Sequence, residues 1–370
     1  MIPSPEKGPT TLRARPDGRY REDIPAMSFI STFFKEILDF IFRLTGNYGW
    51  SVIIFTLLIR LLLIPLDLKS RKSMRAMSRL QPKLNELQRK YGEDKEKLTK
   101  KTQELYKQEG VSMFSGCLPM LIQLPILWFM FGAMREVANE HTVQMLVDWA
   151  AAVKAGTSYQ PALQGWMWIK NVFQPDSFSS TILPAFNSTL PGITAVNGSS
   201  ILTAENIQVA KDFLASDAYR QICIDWGTGN FLNVPLRFIV ANFTLRFPNS
   251  FQALVNNANG LFILPVLAAV SQVFMSKVTG QTTPQTEQQP QAQNAPNGAN
   301  PNAQNPMNSG IMKWFFPIFS LYICATSNAA FALYWMVVNV LSIVQNIAYN
   351  KYFDYKDKQA ELAAPKEGGN

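Results

Sequence analysis

The 370-residue sequence has a single histidine, His141, and only three cysteines. A lone histidine with no neighbouring ligand set would leave a zinc site to be built almost entirely from carboxylates, so metal chemistry is set aside. Cys117 and Cys324 fall in apolar stretches and Cys223 stands alone in a polar one. With no CxxC pair, neither a redox centre nor an obvious disulfide is expected. Charge is scarce, at 16% of residues against 47% hydrophobic ones, a balance poorer in charge than most soluble domains carry. Apart from Asp67 at the end of the first, the apolar stretches contain no His, Asp or Glu, which removes the nucleophile and base that an intramembrane hydrolase requires. There is no phosphate-binding loop, and no convincing internal repeat of the kind common in transporters. The expectation is a protein that is not an enzyme and that uses no metal or cofactor.

What is abundant is clustered. Five apolar stretches have the length and low charge of membrane spans, which we bound at 48–67, 114–135, 259–278, 311–328 and 329–350. The stretch from Asp67 to Met113 carries thirteen Lys/Arg against seven Asp/Glu, whereas Glu136 to Gly260 carries six against eight. Basic loops stay on the cytoplasmic side. Residues 68–113 are therefore expected inside, the external loop 136–258 outside, and the tail 351–370 inside. A Gln/Asn/Pro-rich stretch, 279–310, reads as a flexible cytoplasmic linker. The N-terminal 27 residues have no compact apolar run and read as a flexible tail; a start at Met27 also fits. Residues 28–47 carry Lys35, Asp39 and Arg43 at i, i+4 and i+8, a polar stripe that suits a helix lying in the membrane interface better than one crossing it. The external loop, with its scattered tryptophans, reads as a small accessory subdomain.

In the basic segment Met74, Met77, Leu80, Leu84, Leu87 and Tyr91 recur at helical intervals until Gly92, and Leu98, Leu105 and Tyr106 resume the pattern. This predicts a helical hairpin whose Pro82 either opens or kinks its first arm. Lys69, Arg71, Lys72, Arg75, Arg79 and Lys83 would dock it on anionic lipid or on a negatively charged partner, the plainer alternative being a solvated helix pair. Arg60 lies well inside the first span, where an arginine costs roughly 2.5 to 3.5 kcal/mol. No acidic residue lies in the other four spans, so an unpaired cation in a water-filled groove is favoured. Snorkelling is the alternative, since Asp67 is about 10 Å further along the helix. Gln123, Gln272, Trp335 and Asn339 are candidate lining residues of the same groove, with Ser320, Thr326, Asn328 and Gln345 further polar residues of the spans. Taken singly, each polar one fits interhelical hydrogen bonding as well.

Several motifs are specific. Asn47-Tyr48-Gly49-Trp50 before the Arg-bearing span, Gln81-Pro82-Lys83, the run Gly116-Cys117-Leu118-Pro119-Met120-Leu121-Ile122-Gln123-Leu124-Pro125, and Leu333-Tyr334-Trp335 with Asn339 together resemble the YidC/Oxa/Alb membrane insertases. Trp168-Ile169-Lys170-Asn171 with Pro175-Asp176 resembles the external stretch of that family. The likeness covers about 28–176 and 259–350; the segment 177–258 is an apparent insertion, Ala329-Ala330-Phe331 stands where the family tends to have Pro-x-Gly, and no large outer β domain is present, as in the Gram-positive type. The tail after Tyr349, with four Lys against four Asp/Glu, lacks a strongly basic extension. The resemblance implies an all-α integral membrane protein of the bacterial cell membrane. Five spans would form a core with a polar groove open to the cytoplasm, joined by a cytoplasmic helical hairpin and an amphipathic interfacial helix. It also implies that the chain inserts and helps fold nascent membrane proteins, with anionic lipids, the Sec translocon and the ribosome as further partners. The competing readings are a Sec-dependent assembly chaperone without autonomous insertion, and a solute transporter or channel.

Overall fold

A computed structural model describes residues 12–14, 20–22, 25–92, 94–110, 118–188, 190, 192–196, 198–237, 242–280 and 310–363. Most of the N-terminal tail, Cys117 with the start of its motif, nearly all of the 279–310 linker and the side chains of Met74 and Met77 lie outside the described residues.

The chain is mostly helical, and among the described residues strands are confined to two hairpins. One pairs β1 (Leu12–Ala14) with β2 (Tyr20–Glu22); the other pairs β3 (Phe231–Arg237) with β4 (Asn242–Pro248). The helices are α1 (Pro25–Thr45), α2 (Tyr48–Arg79), α3 (Gln81–Tyr91), α4 (Lys95–Gln108), α5 (Leu118–Ala155), α6 (Ala204–Leu214), α7 (Asp217–Asp225), α8 (Phe251–Asn256), α9 (Ile263–Gly280), α10 (Gly310–Thr326) and α11 (Ala329–Ala363). By length and composition α2 and α11 could cross a membrane, while Ile263–Val278 and Trp314–Thr326 are shorter apolar helices.

Three helices overrun the apolar stretches that marked them. α2 runs on to Arg79, α5 to Ala155 and α11 to Ala363, because the flanking sequences offer polar helix formers and no breaker. The first arm of the basic hairpin is thus partly a continuation of α2. Pro82, in the first turn of α3, starts a new helix, which folds back against α4 with Lys83 Nζ 2.5 Å from Glu109 Oε1. The external loop likewise begins with five further turns of α5.

One core joins α1, α2, α5, α9, α10 and α11 through Leu38, Val52, Phe55, Met134, Leu264, Cys324 and Phe331. A second is built where Val143, Leu146 and Trp149 of α5 meet Ile207, Phe213, Leu214, Tyr219 and Cys223 of α6 and α7. The external segment therefore has a small hydrophobic centre of its own, mounted on α5.

At one end of the bundle the helix ends are fastened by the irregular segment 165–182. Asp176, fully buried, accepts from the backbone N–H of Leu261 (2.9 Å), Phe262 (3.2 Å) and Leu264 (2.7 Å) and from Trp168 Nε1 (3.2 Å). A carboxylate at this position satisfies the orphan amides at the start of α9 and complements the helix dipole. The same segment receives the first amides of α11, Ala329 N–H to Gln174 O and Ala330 N–H to Val172 O, both 2.9 Å. Asn47 caps α2 through the Trp50 N–H and donates from Nδ2 to Gly165 O at 2.7 Å. Asn259 completes the join, giving two hydrogen bonds to the carbonyls of Asn171 and Pro175 and accepting from Asn171 N–H. Close approach demands glycine at two places. A Cβ at Gly49 would strike the Trp166 ring, and one at Gly260 the Asp176 carboxylate.

The polar stripe of α1 is divided. Lys35 Nζ lies 2.9 Å from both Asp39 and Glu140, and Asp39 accepts from Tyr48 Oη at 2.9 Å. These charges face the protein, while Arg43 and Glu36 share the outer side with exposed Phe33, Phe40 and Leu44. A charged residue every fourth position served here to clamp α1 onto α5. Beside the clamp, His141 stacks on Phe173 (ring centres 4.5 Å) and meets Tyr48 edge-on. Burial holds the imidazole below its ordinary value, only partly offset by Asp39 and Glu140.

Two outcomes follow from these contacts. Asp176→Ala orphans buried amides at about 1–3 kcal/mol each, so it should lower the melting temperature of the detergent-solubilised protein clearly more than Asp176→Asn, which keeps an acceptor. Because the folded state holds His141 neutral, the unfolded chain takes up the proton first as pH falls, and stability declines on acidification through the ordinary histidine range. His141→Phe should flatten that part of the melting-temperature curve, and parallel curves for parent and variant would reject the assignment.

Candidate functional site

Arg60 sits at the mid-length of α2 and opens into a recess of about 210 Å3, open solvent included, lined by Thr56, Ile59 and Leu63 of the same helix, Ile126 of α5, and Tyr334 and Val338 of α11. Thr56, Arg60 and Leu63 are one helical face, at i, i+4 and i+7. The Thr56 hydroxyl turns back to Val52 O at 2.6 Å, leaving the guanidinium as the site's strong donor. Among the described residues its hydrogen bond is a long one, Nη2 to Val338 O at 3.4 Å. Among the described residues Arg60 makes no ion pair. Its nearest electrostatic relief comes from Asp67, two turns along the same face, which also serves Arg71. The recess is thus largely apolar walls around one under-used cation, with space for about one water.

Towards the hairpin end, α2 and α11 are strapped together outside the apolar core. Arg71 lies over the Tyr349 ring at 5.1 Å and Arg75 over Phe353 at 5.2 Å. Arg75 also pairs with Asp354 and, at 3.0 Å, with Asp357, which Arg79 reaches at 2.8 Å. These carboxylates are exposed, so each pair is screened and contributes little singly, about 0.2–1 kcal/mol. Of the six basic residues singled out in the sequence, Arg71, Arg75 and Arg79 are therefore engaged with α11 and Lys83 with α4, while Lys69 and Lys72 remain exposed.

The structure does not gather the other candidate lining residues around Arg60. Asn339 is buried against α9, its Nδ2 3.1 Å from Ser271 Oγ. Trp335 packs between Phe319 and Phe331, and its indole N–H is buried without an acceptor among the described residues. Gln272 is half-exposed on α9. Gln123 belongs to the second turn of α5, and its side chain lies outside the described residues. Sequence reasoning passed over Thr56, Ile126 and Tyr334. The helical phase of Arg60 marks Thr56, and Tyr334 stands beside the chosen Trp335 on the neighbouring face.

Residues 40–358 match the family model described as 60Kd inner membrane protein. The chain is 47% identical over 114 residues to a membrane protein insertase YidC of Fusobacterium nucleatum, covering 30% of this chain and 56% of that relative. It is 41% identical over 120 residues to the protein of that name from Caldanaerobacter subterraneus, covering 32% and 58%. A longer match, 26% identical over 324 residues, relates it to the same-named protein of Chlorobaculum tepidum, with 88% of this chain and 36% of the relative covered. Each match thus spans less than two thirds of the relative's length.

The strap makes a measurable claim. In a double-mutant cycle on Arg75 and Asp357, melting temperatures in detergent should give a coupling of about 0.2–1 kcal/mol, shrinking in high salt; a coupling indifferent to salt would show that the contact is not electrostatic.

Proposed function

The chain belongs to the 60Kd inner membrane protein family, and from that premise we propose that it is a bacterial inner-membrane insertase and chaperone for the apolar segments of client proteins. The observation that carries this reading is the lone cation of Arg60 in a recess between α2, α5 and α11. On this reading α2, the first half of α5, α9, α10 and α11 are the five spans, and α1 lies at the interface. The hairpin and C-terminus are then cytoplasmic, in keeping with the excess of basic residues between Asp67 and Met113.

The mechanism follows from charge and hydration. A guanidinium inside a bilayer holds water and attracts carboxylates. The polar, acidic end of a client entering the groove from the cytoplasm would meet Arg60 part-way across, which shortens the hydrocarbon path for its polar atoms. Its apolar helix then leaves sideways into lipid, and burial of about twenty apolar residues drives the step without nucleotide. The sealed end, fastened by residues 165–182, would prevent leakage to the outside. Exposed Lys69 and Lys72 support docking of the hairpin on anionic lipid, and the Sec translocon and ribosome are proposed as further partners on family grounds.

The test is protease protection of a one- or two-span client, synthesised in vitro, in liposomes holding only this protein. Parent protein should protect the client well above empty liposomes. Arg60→Ala should reduce protection severalfold for clients with acidic translocated segments and much less for neutral ones, with Arg60→Lys intermediate. Equal losses for both client types would reject the electrostatic role, and no protection by folded parent protein would point to a Sec-dependent chaperone.

A further inference from the structure

We infer that the β3–β4 hairpin of the external subdomain lays one face on the outer leaflet of the bilayer, a lipid contact beyond the five-helix core. The inference rests on the reading of α9 as a span. The register pairs Leu232 with Phe247, Val234 with Leu245 and Leu236 with Phe243, so one face of the hairpin is apolar at every position. The opposite face carries Asn233, Arg246, Thr244, Arg237 and Asn242 together with Phe231, Pro235 and Pro248. A solvated hairpin would expose the polar face and bury the other. On the described part of that face Leu232 is 59%, Val234 39% and Phe247 36% exposed.

What covers this face is set by where the hairpin is pinned. Arg246 N–H donates to Ser179 Oγ at 3.2 Å, three residues from the Asp176 that caps α9. Phe178 lies between Phe247, stacked with ring centres 5.8 Å apart, and Phe262, at 5.9 Å, next to the first turn of α9. The apolar face is therefore held at the level where α9 begins and continues into exposed Leu261 just before that helix and Val266 and Val270 on it. Trp50, exposed on the first turn of α2, stands at the same fastened end, the position that aromatic residues take at a membrane interface. Continuity with the exposed apolar face of α9 favours lipid over a protein partner.

The experiment uses the full chain in mixed phosphatidylcholine and phosphatidylglycerol vesicles, with nitroxides at Leu232→Cys, Val234→Cys and Asn233→Cys, and Val270→Cys as the α9 reference. All variants are made in a Cys117→Ser background, and that background carried through the same labelling is the blank, since Cys223 and Cys324 are buried. Collision with oxygen should exceed collision with a water-soluble nickel chelate at 232, 234 and 270, and the ranking should reverse at 233. Chelate-accessible labels at 232 and 234 beside a lipid-like 270 would overturn the hairpin contact and leave the spanning reading standing. Shielding of 232 and 234 from both quenchers would overturn it in favour of a protein cover. A chelate-accessible 270 would overturn the span and the contact together.

Discussion

The buried carboxylate of Asp176 is the constraint on which the bundle's geometry depends. It receives three backbone amides and an indole N–H, so the start of α9 is fixed relative to a segment more than eighty residues earlier in the chain. The same few residues receive the first amides of α11 and, through Gly165, the cap of α2. Helix ends ordinarily satisfy their orphan amides locally. Delegating that task to a shared segment makes three helices end on one level, and buried bonds of this kind are costly to break.

The opposite end is held by different physics. Between α2 and α11 the contacts beyond Tyr349 are cation–π pairs and ion pairs to exposed Asp354 and Asp357. Such contacts are screened, tolerant of sliding and weak singly, whereas the Asp176 join has no solvent to exchange with. A bundle welded at one end and laced at the other separates most readily at the laced end. The cation lies between them, where α2 and α11 can part around it without disturbing the caps.

The sequence made the apolar helices, the special standing of Arg60 and the motif around Trp168 and Asp176 legible, because burial cost and periodicity are local properties. It hid what depends on helical phase and on distant partners. Asn339 was chosen for polarity and Trp335 with its motif. On α11 Asn339 meets α9, where Asn346 also reaches Met275 at 3.6 Å, and Trp335 meets Phe319 of α10, while Tyr334 and Val338, one step round the helix, face Arg60. A polar residue in an apolar helix announces a hydrogen bond and not which neighbour takes it. The partners of the stripe on α1 were hidden for a related reason: Lys35 and Asp39 look like a wetted face until Glu140 and Tyr48 are brought against them. Helix termini at Arg79, Ala155 and Ala363 could not be read from hydropathy, since a polar helix continues an apolar one without any sequence break.

The length of α5 explains how the external subdomain is carried. At 38 residues the helix is about 57 Å long at 1.5 Å per residue, and it contributes Met130 and Met134 to the first core and Val143, Leu146 and Trp149 to the second. The two cores therefore share one rigid element. The subdomain adds side clasps to it, Arg135 to Gly192 O at 3.3 Å and Ser199 to Glu140 at 3.0 Å, and Glu140 is also the carboxylate that holds Lys35 of α1. A tilt of α5 at Ile126, beside the Arg60 recess, would swing the subdomain through a long lever arm. The Asn259 and Asp176 bonds oppose that swing by fixing the subdomain's exit to α9. The subdomain thus braces α5 against α9 at the end of the bundle that Asp176 fastens.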